Sequence, residues 1–481
     1  MKNNKIPTLA GEPLKYPDHR RPVTRRELLA QGFIGYSAML TMPSVFSMLC
    51  SEIAQAADCG TSTTNTSLPL LVFDMAGGSA MPGNFLVGKN FDPRNSMLNS
   101  YDALGWNPKA QGALDESFGL PMAAQVSKMR QGIYETASAE ARANLRMGSF
   151  AHFSQDDTSS NPSSALTLAC KAGNIGSVVS KGLGTFNTKS GGNSDVPLKD
   201  ATFKPLFMSK VDDLLNSAGF GPTYADISID ARKALGKGIT KVSAENLKQY
   251  ANILEGDKLA KAAECAYAPV AGYANGVSGM DPRADTLFQT LYGITATTTA
   301  TTPAAISATV VMNALKGNTG PGCITLGGCD YHTGSSTLGD QKDLEIGREI
   351  GRAVEASYKL GKPLFFQFIT DGGTYAATGT RNWTGDAGDK SLTVIGYYNP
   401  LKAPTYRTSG TSPKYQIGRY TDGQGADRST LIGANVAKVA YAVFANYLYL
   451  MVGADKFAAQ FALIAPGIFS STELDSVLIF A

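Results

Sequence analysis

Gly322-Cys323-Ile324-Thr325-Leu326, the run 343–360 (DLEIGREIGRAVEASYKL) and Leu364-Phe365-Phe366-Gln367-Phe368-Ile369 decide the fold. The first and last are short apolar runs of the kind that fill a buried strand. Between them, apolar or small residues recur at 344, 347, 350, 351, 354 and 358, the stripe of an amphipathic helix. Gly361-Lys362-Pro363 ends that helix. Strand, helix, strand in this order is a βαβ unit and implies a parallel sheet. The expected class is therefore α/β, with a mostly parallel central sheet and helices on both faces.

Working outward, residues 67–73 (SLPLLVF) read as another buried strand, and 145–153 and 393–398 as further strands. Helices are expected over 122–147, 209–217, 231–235, 243–265 and 305–316. The stretch 434–452 is apolar but contains Lys438 and Asn446, which favours a core or docking helix over a membrane span. Residues 182–197 and 266–303 read as loop-rich insertions, the second ending in the Thr/Ala-rich run 295–302.

The first 57 residues read as an export signal. Arg25-Arg26 precede Leu28-Leu29; an uncharged run of ~17 residues follows, short for a span of ~20, and Ala54-Gln55-Ala56 is a small-residue cleavage pattern. Paired arginines point to the twin-arginine route and to a periplasmic or exported protein. Residues 58–481 then form a single α/β domain with no transmembrane span after cleavage. Of 43 Lys and Arg and 40 Asp and Glu, seven and four lie in this signal, so the remaining chain is formally neutral. That balance argues against nucleic acid as a partner. Cys323 and Cys329 either pair or remain buried thiols.

In open α/β sheets, ligands bind beyond the carboxyl ends of strands. Three expected strands end in Gly-rich polar loops: Asp74-Met75-Ala76-Gly77-Gly78-Ser79, Gly327-Gly328-Cys329-Asp330-Tyr331-His332 and Thr370-Asp371-Gly372-Gly373-Thr374. A fourth strand leads to His152. Asp74, Asp330, His332 and Asp371 are candidate metal ligands, hard and borderline donors suited to calcium, zinc, manganese or magnesium. Each has a plainer reading: Asp74 caps a turn, Asp330 forms an Asx-turn, and Asp371 serves the turn before Gly372. His152 is either a catalytic imidazole or a satisfied core histidine, and Ser79 a nucleophile candidate with no visible neighbouring base. With three histidines in the whole chain, a histidine-rich dinuclear zinc site is hard to build.

These segments, in this order, resemble a family of twin-arginine-exported bacterial proteins related to the alkaline phosphatase and sulfatase superfamily. The resemblance is carried by LLVFDMAGGSAMPGNF at 70–85, Phe91-Asp92-Pro93, His152-Phe153 with Asp156 or Asp157, and Leu326-Gly327-Gly328-Cys329-Asp330-Tyr331-His332. It implies an alkaline-phosphatase-like fold and metal-assisted displacement at phosphorus or sulfur. Asp330 and His332 would be ligands or proton-transfer groups, with His152 opposite; the partner would be a small-molecule ester. The chain also departs from the pattern. The first Gly-Gly loop lacks the family's Asp, Thr370-Asp371-Gly372-Gly373 replaces Ser-Glu-Phe-Gly, and no histidine follows His332. Asp422 and Asp427 are the nearest stand-ins for a later Asp-His-Gly. A catalytically degenerate member, kept as an envelope binding or structural protein, is the alternative those departures leave open.

Overall fold

The computed structural model describes residues 68–154, 164–179, 181–185, 205–218, 277–332, 334–370, 372–377 and 379–481. All of them belong to one compact unit, Thr61–Asp230 with Tyr273–Ala481. The export signal, the helices expected over 231–235 and 243–265, and Asp371 lie outside the described residues.

The strands are β1 (Leu70–Met75), β2 (Leu114–Asp115), β3 (Met122–Ala123), β4 (Leu145–His152), β5 (Leu183–Gly184), β6 (Leu206–Phe207) and β7 (Gly322–Leu326). After them come β8 (Leu364–Thr370), β9 (Thr374–Ala376), β10 (Trp383–Asp386), β11 (Ser391–Tyr398), β12 (Thr408–Ser409), β13 (Ser412–Pro413) and β14 (Gln416–Ile417). Eight of them form one sheet in the order β14-β4-β11-β8-β1-β7-β5-β6. Seven run the same way; β11 alone opposes its neighbours β4 and β8. The fold is thus α/β with a large mixed, mostly parallel sheet.

The helices are α1 (Lys128–Thr136), α2 (Ala139–Ala143), α3 (Leu166–Lys171), α4 (Val211–Ala218) and α5 (Thr286–Tyr292). They continue with α6 (Pro303–Lys316), α7 (Ser336–Leu360), α8 (Val436–Val452), α9 (Ala454–Ile464) and α10 (Ser471–Ser476). Alternation along β1 shows why two layers are needed. Leu71, Phe73 and Met75 enter one hydrophobic core, shared with Ile133 of α1, Val310 of α6 and Ile350 of α7. Leu70 and Val72 enter a second, shared with Leu168 of α3, Val443 of α8 and Phe457 of α9. Successive side chains on a strand point to opposite faces, so a strand buried on both must read as continuously apolar, as LLVF does.

The βαβ unit forms as expected, β7–α7–β8. The helix starts earlier than its apolar stripe, because Ser335 caps it and accepts from Thr337 N–H. At its far end Gly361 adopts a left-handed φ of 61°. The stripe does more than face the sheet: a Cβ on Gly347 would lie 2.1 Å from the Met129 carbonyl oxygen, so α1 and α7 touch backbone to backbone.

The helix expected over 122–147 is a correction. Residues 122–123 are strand, and the remainder breaks into α1, α2 and the start of β4. Ser127 and Ser138 each cap a new helix, accepting from Arg130 N–H and Ala141 N–H. A serine that satisfies free N–H groups favours a helix start over a helix interior. Within 182–197, Leu183–Gly184 is a short strand paired between β7 and β6; within 266–303, Thr286–Tyr292 is helical and 295–302 is turn. Helix α8 is a core helix, as Asn446 implies. Its amide donates to Ala442 and Val477 carbonyls and accepts from Ile479 N–H. No helix among the described residues is long and apolar enough to cross a membrane.

Candidate metal centre

The carboxyl ends of β1, β7, β8 and β4 lie along one sheet edge, since these four strands run in parallel. Three of the loops beyond them are stitched together. Ala76 N–H donates to Leu326 O at 3.0 Å, Cys329 N–H to Ala76 O at 3.0 Å, and Tyr331 N–H to Gly78 O at 3.1 Å. The Thr370 hydroxyl at the end of β8 donates to Gly77 O at 2.8 Å and accepts from Ser79 N–H at 3.0 Å. Gly77 makes the stitch possible. Its φ is +118°, and a Cβ there would lie 2.6 Å from Asp330 N.

Beyond this stitched base stand Asp330, His332 and Asp386, one ligand atom of each within 4.8 Å of the others. His332 Nδ1 contacts Asp330 Oδ1 and lies 3.0 Å from Asp386 Oδ1. The side chains of Asp330, His332 and Asp386 are 54%, 42% and 32% exposed, so the group opens to solvent. Two carboxylates and an imidazole suit a borderline or hard divalent ion, and three protein ligands leave coordination positions open.

Asp386 was not apparent from the sequence. It arrives on the β9–β10 hairpin, where it pairs with Thr374. The hairpin is pinned by Trp383, which is fully buried and whose carbonyl accepts from Gly334 N–H at 2.8 Å. Signals that point to it are the aromatic pair Tyr375 and Trp383 on short flanking runs and the Gly385-Asp386 step between them and β11.

The other candidates lie elsewhere. Asp74 is fully buried within β1, with its carboxylate accepting from the Thr325 hydroxyl at 3.1 Å. Ser79 is fully buried too, and its hydroxyl has no hydrogen-bond partner among the described residues. His152 ends β4 and is only 2% exposed; its Nε2 is 3.0 Å from the Thr393 hydroxyl of β11. Burial pushes its imidazole down to about 4, so it is neutral at pH 7. β4 and β7 are four positions apart in the sheet, about 19 Å at the usual strand spacing. His152 is thus buried on the β4–β11 pair and is not one of the three grouped donors.

The two stand-ins near the end of the chain serve local structure. Asp427 accepts from the Ser429 backbone and hydroxyl and pairs with Arg419, which together hold its carboxyl down at about 2. Asp422 accepts from Asn99 N–H and pairs with Lys89 at the surface. The described cysteines Cys170, Cys323 and Cys329 are all buried free thiols, so Cys323 and Cys329 do not pair. Burial raises each of their thiol pKa values. Comparison of the chain with protein-family models, with curated proteins and with solved structures finds no match.

Proposed function

We propose that this chain is an exported hydrolase of alkaline-phosphatase-like fold that holds a divalent metal at Asp330, His332 and Asp386 and cleaves phosphate or sulfate esters. The observation that carries this reading is the convergence of an imidazole and two carboxylates, from the loop after β7 and from the β9–β10 hairpin, at the carboxyl edge of a mostly parallel sheet. A divalent ion there would polarise the ester oxygen and neutralise charge on the group being transferred. The chain's own contribution is to hold the three donors. The stitched Gly77 loop fixes the backbone of Asp330, and the Trp383 hairpin delivers Asp386. Ser79 is fully buried, so in this reading it is not the attacking group.

The test is metal content of the protein from about residue 58, purified without chelator or affinity metal, beside Asp330→Ala and Asp386→Asn. Near-stoichiometric calcium, zinc, manganese or magnesium, lost in both variants, supports the reading and directs ester-hydrolysis screens. A folded wild-type protein with no metal sinks it.

A second reading, an envelope binding or structural protein descended from such a hydrolase, is favoured by the burial of His152 and Ser79. Neither the second imidazole nor the hydroxyl is presented to a substrate in solution. Metal bound in stoichiometric amount without turnover of any phosphate or sulfate ester would select this reading.

A further inference from the structure

Tyr331 separates two exposed residues of the cluster, Asp330 and His332, yet is itself fully buried. Its hydroxyl donates to Asp343 Oδ1 at 2.8 Å. The other oxygen of Asp343 accepts from Asn84 Nδ2 at 2.8 Å and from Arg381 Nη2 at 3.3 Å. Asn84 is held in turn, accepting from the Ser127 hydroxyl at 2.7 Å. Arg381 stands two residues ahead of Trp383, the first residue of the strand that ends at Asp386. It also donates to Gly83 O at 2.8 Å and to Asp340 Oδ1 at 3.2 Å, and its guanidinium lies over the Trp383 ring. One wholly buried carboxylate thus bonds both to the segment carrying Asp330 and His332 and to the segment carrying Asp386.

An ion-paired carboxylate with no solvent exposure is costly to keep in a core, and its replacement by apolar side chains is often neutral or stabilising. Such a group is therefore weak evidence for stability and better evidence for specified geometry. Here the geometry it specifies is the separation of the loop after β7 from the β9–β10 hairpin, which share no strand pairing. We propose that Asp343 is a positioning residue for the cluster, setting the distance between His332 and Asp386 through Tyr331 on one side and Arg381 on the other. The inference rests on the reading of that cluster as a metal centre, and extends it to a residue that touches none of the three donors.

The test uses the full chain, the variants Asp343→Asn and Tyr331→Phe, and their combination. Two readouts are taken: affinity for manganese(II) alone, and the imidazole resonances of His332 in metal-free protein, assigned with His332→Gln. Outer partners of metal ligands typically change affinity by about tenfold or more when removed. The expected result is a loss of that size in both single variants, a moved or broadened His332 signal in both, and a double variant no weaker than Asp343→Asn. Folded variants with lower melting temperature but unchanged His332 resonances and affinity would overturn the proposal, since a merely structural role predicts that. If Asp343→Asn does not fold, Tyr331→Phe decides alone by the same two readouts. A wild-type chain that binds none of manganese, zinc, calcium or magnesium sinks the metal reading separately, and the His332 resonances still decide whether Asp343 positions the cluster.

Discussion

His332 Nδ1 lies 3.0 Å from Asp386 Oδ1, although one residue sits in the loop after β7 and the other ends strand β10, with no strand pairing between them. The contact makes Asp386 as necessary to the cluster as Asp330. Asp386→Asn is expected to weaken divalent-ion binding at least about tenfold with little change in melting temperature, because the side chain is partly exposed. Asp74→Asn is expected to do the reverse. It disturbs a buried carboxylate bonded to Thr325, at a cost on the order of 1–3 kcal/mol, and leaves metal stoichiometry intact. Calorimetric titration and thermal unfolding of the pair check both; equal loss of metal in Asp74→Asn would return Asp74 to the ligand set.

The neutral burial of His152 makes the protein acid-sensitive. Its folded pKa of about 4 lies below the ordinary 6.5, so the unfolded chain takes up the proton first as pH falls. The associated stability is complete above pH 6.5 and is lost toward pH 4, on the order of 3 kcal/mol in all. Asp343 and Glu349, raised by burial to about 6 and about 7, act in the opposite sense over part of the same window. Comparison with His152→Asn cancels their contribution. Urea unfolding at pH 7 and pH 4.5 is expected to show a smaller acid loss in the variant than in wild type.

Gly77→Ala is expected to strain the stitched loops at two points. The φ of +118° disfavours a side chain, and the added Cβ would meet Asp330 N at 2.6 Å. A destabilisation of about 1–3 kcal/mol is expected, together with weakened metal binding, because the backbone that must yield carries a ligand. Stability loss without any change in metal affinity would show that the loop and the cluster are independent.

Gly347→Ala tests the seating of α7, the helix that also carries Asp343. The contact of α1 with α7 leaves no room for a methyl 2.1 Å from Met129 O, so the helices must separate. About 1–3 kcal/mol of stability should be lost, and metal affinity should fall with it, since the displaced helix carries Asp343. Chemical denaturation and manganese titration of the same sample check the two halves.

The β7–α7–β8 unit was legible because its signal is local. Apolar runs and a helical stripe depend on neighbours in the chain, and Gly322–Leu326 and Leu364–Thr370 fall where those runs lie. The run 122–147 misled for an equally local reason. Its residues are good helix formers, but Ser127 and Ser138 find N–H groups to cap, and Leu145–His152 is drawn into the sheet beside β11. Asp330 and His332 were legible as a pair two residues apart, whereas Asp386 depends on a hairpin whose placement follows from Trp383 and Gly334. His152 carried no sequence mark separating a buried imidazole from a working one. That distinction follows from Thr393 and the strand carrying it.

Strand β1 pairs with β7 on one side and β8 on the other. Gly322 and Leu364, where these partners begin, come 252 and 294 positions after Leu70, so β1 has no edge to join until that much further chain has been made. Until then LLVF is an unpaired apolar segment of the nascent polypeptide, the kind of stretch that sticks to others. Folding here is a late closure around an early strand, and the interval between making the two is when the chain most needs shielding.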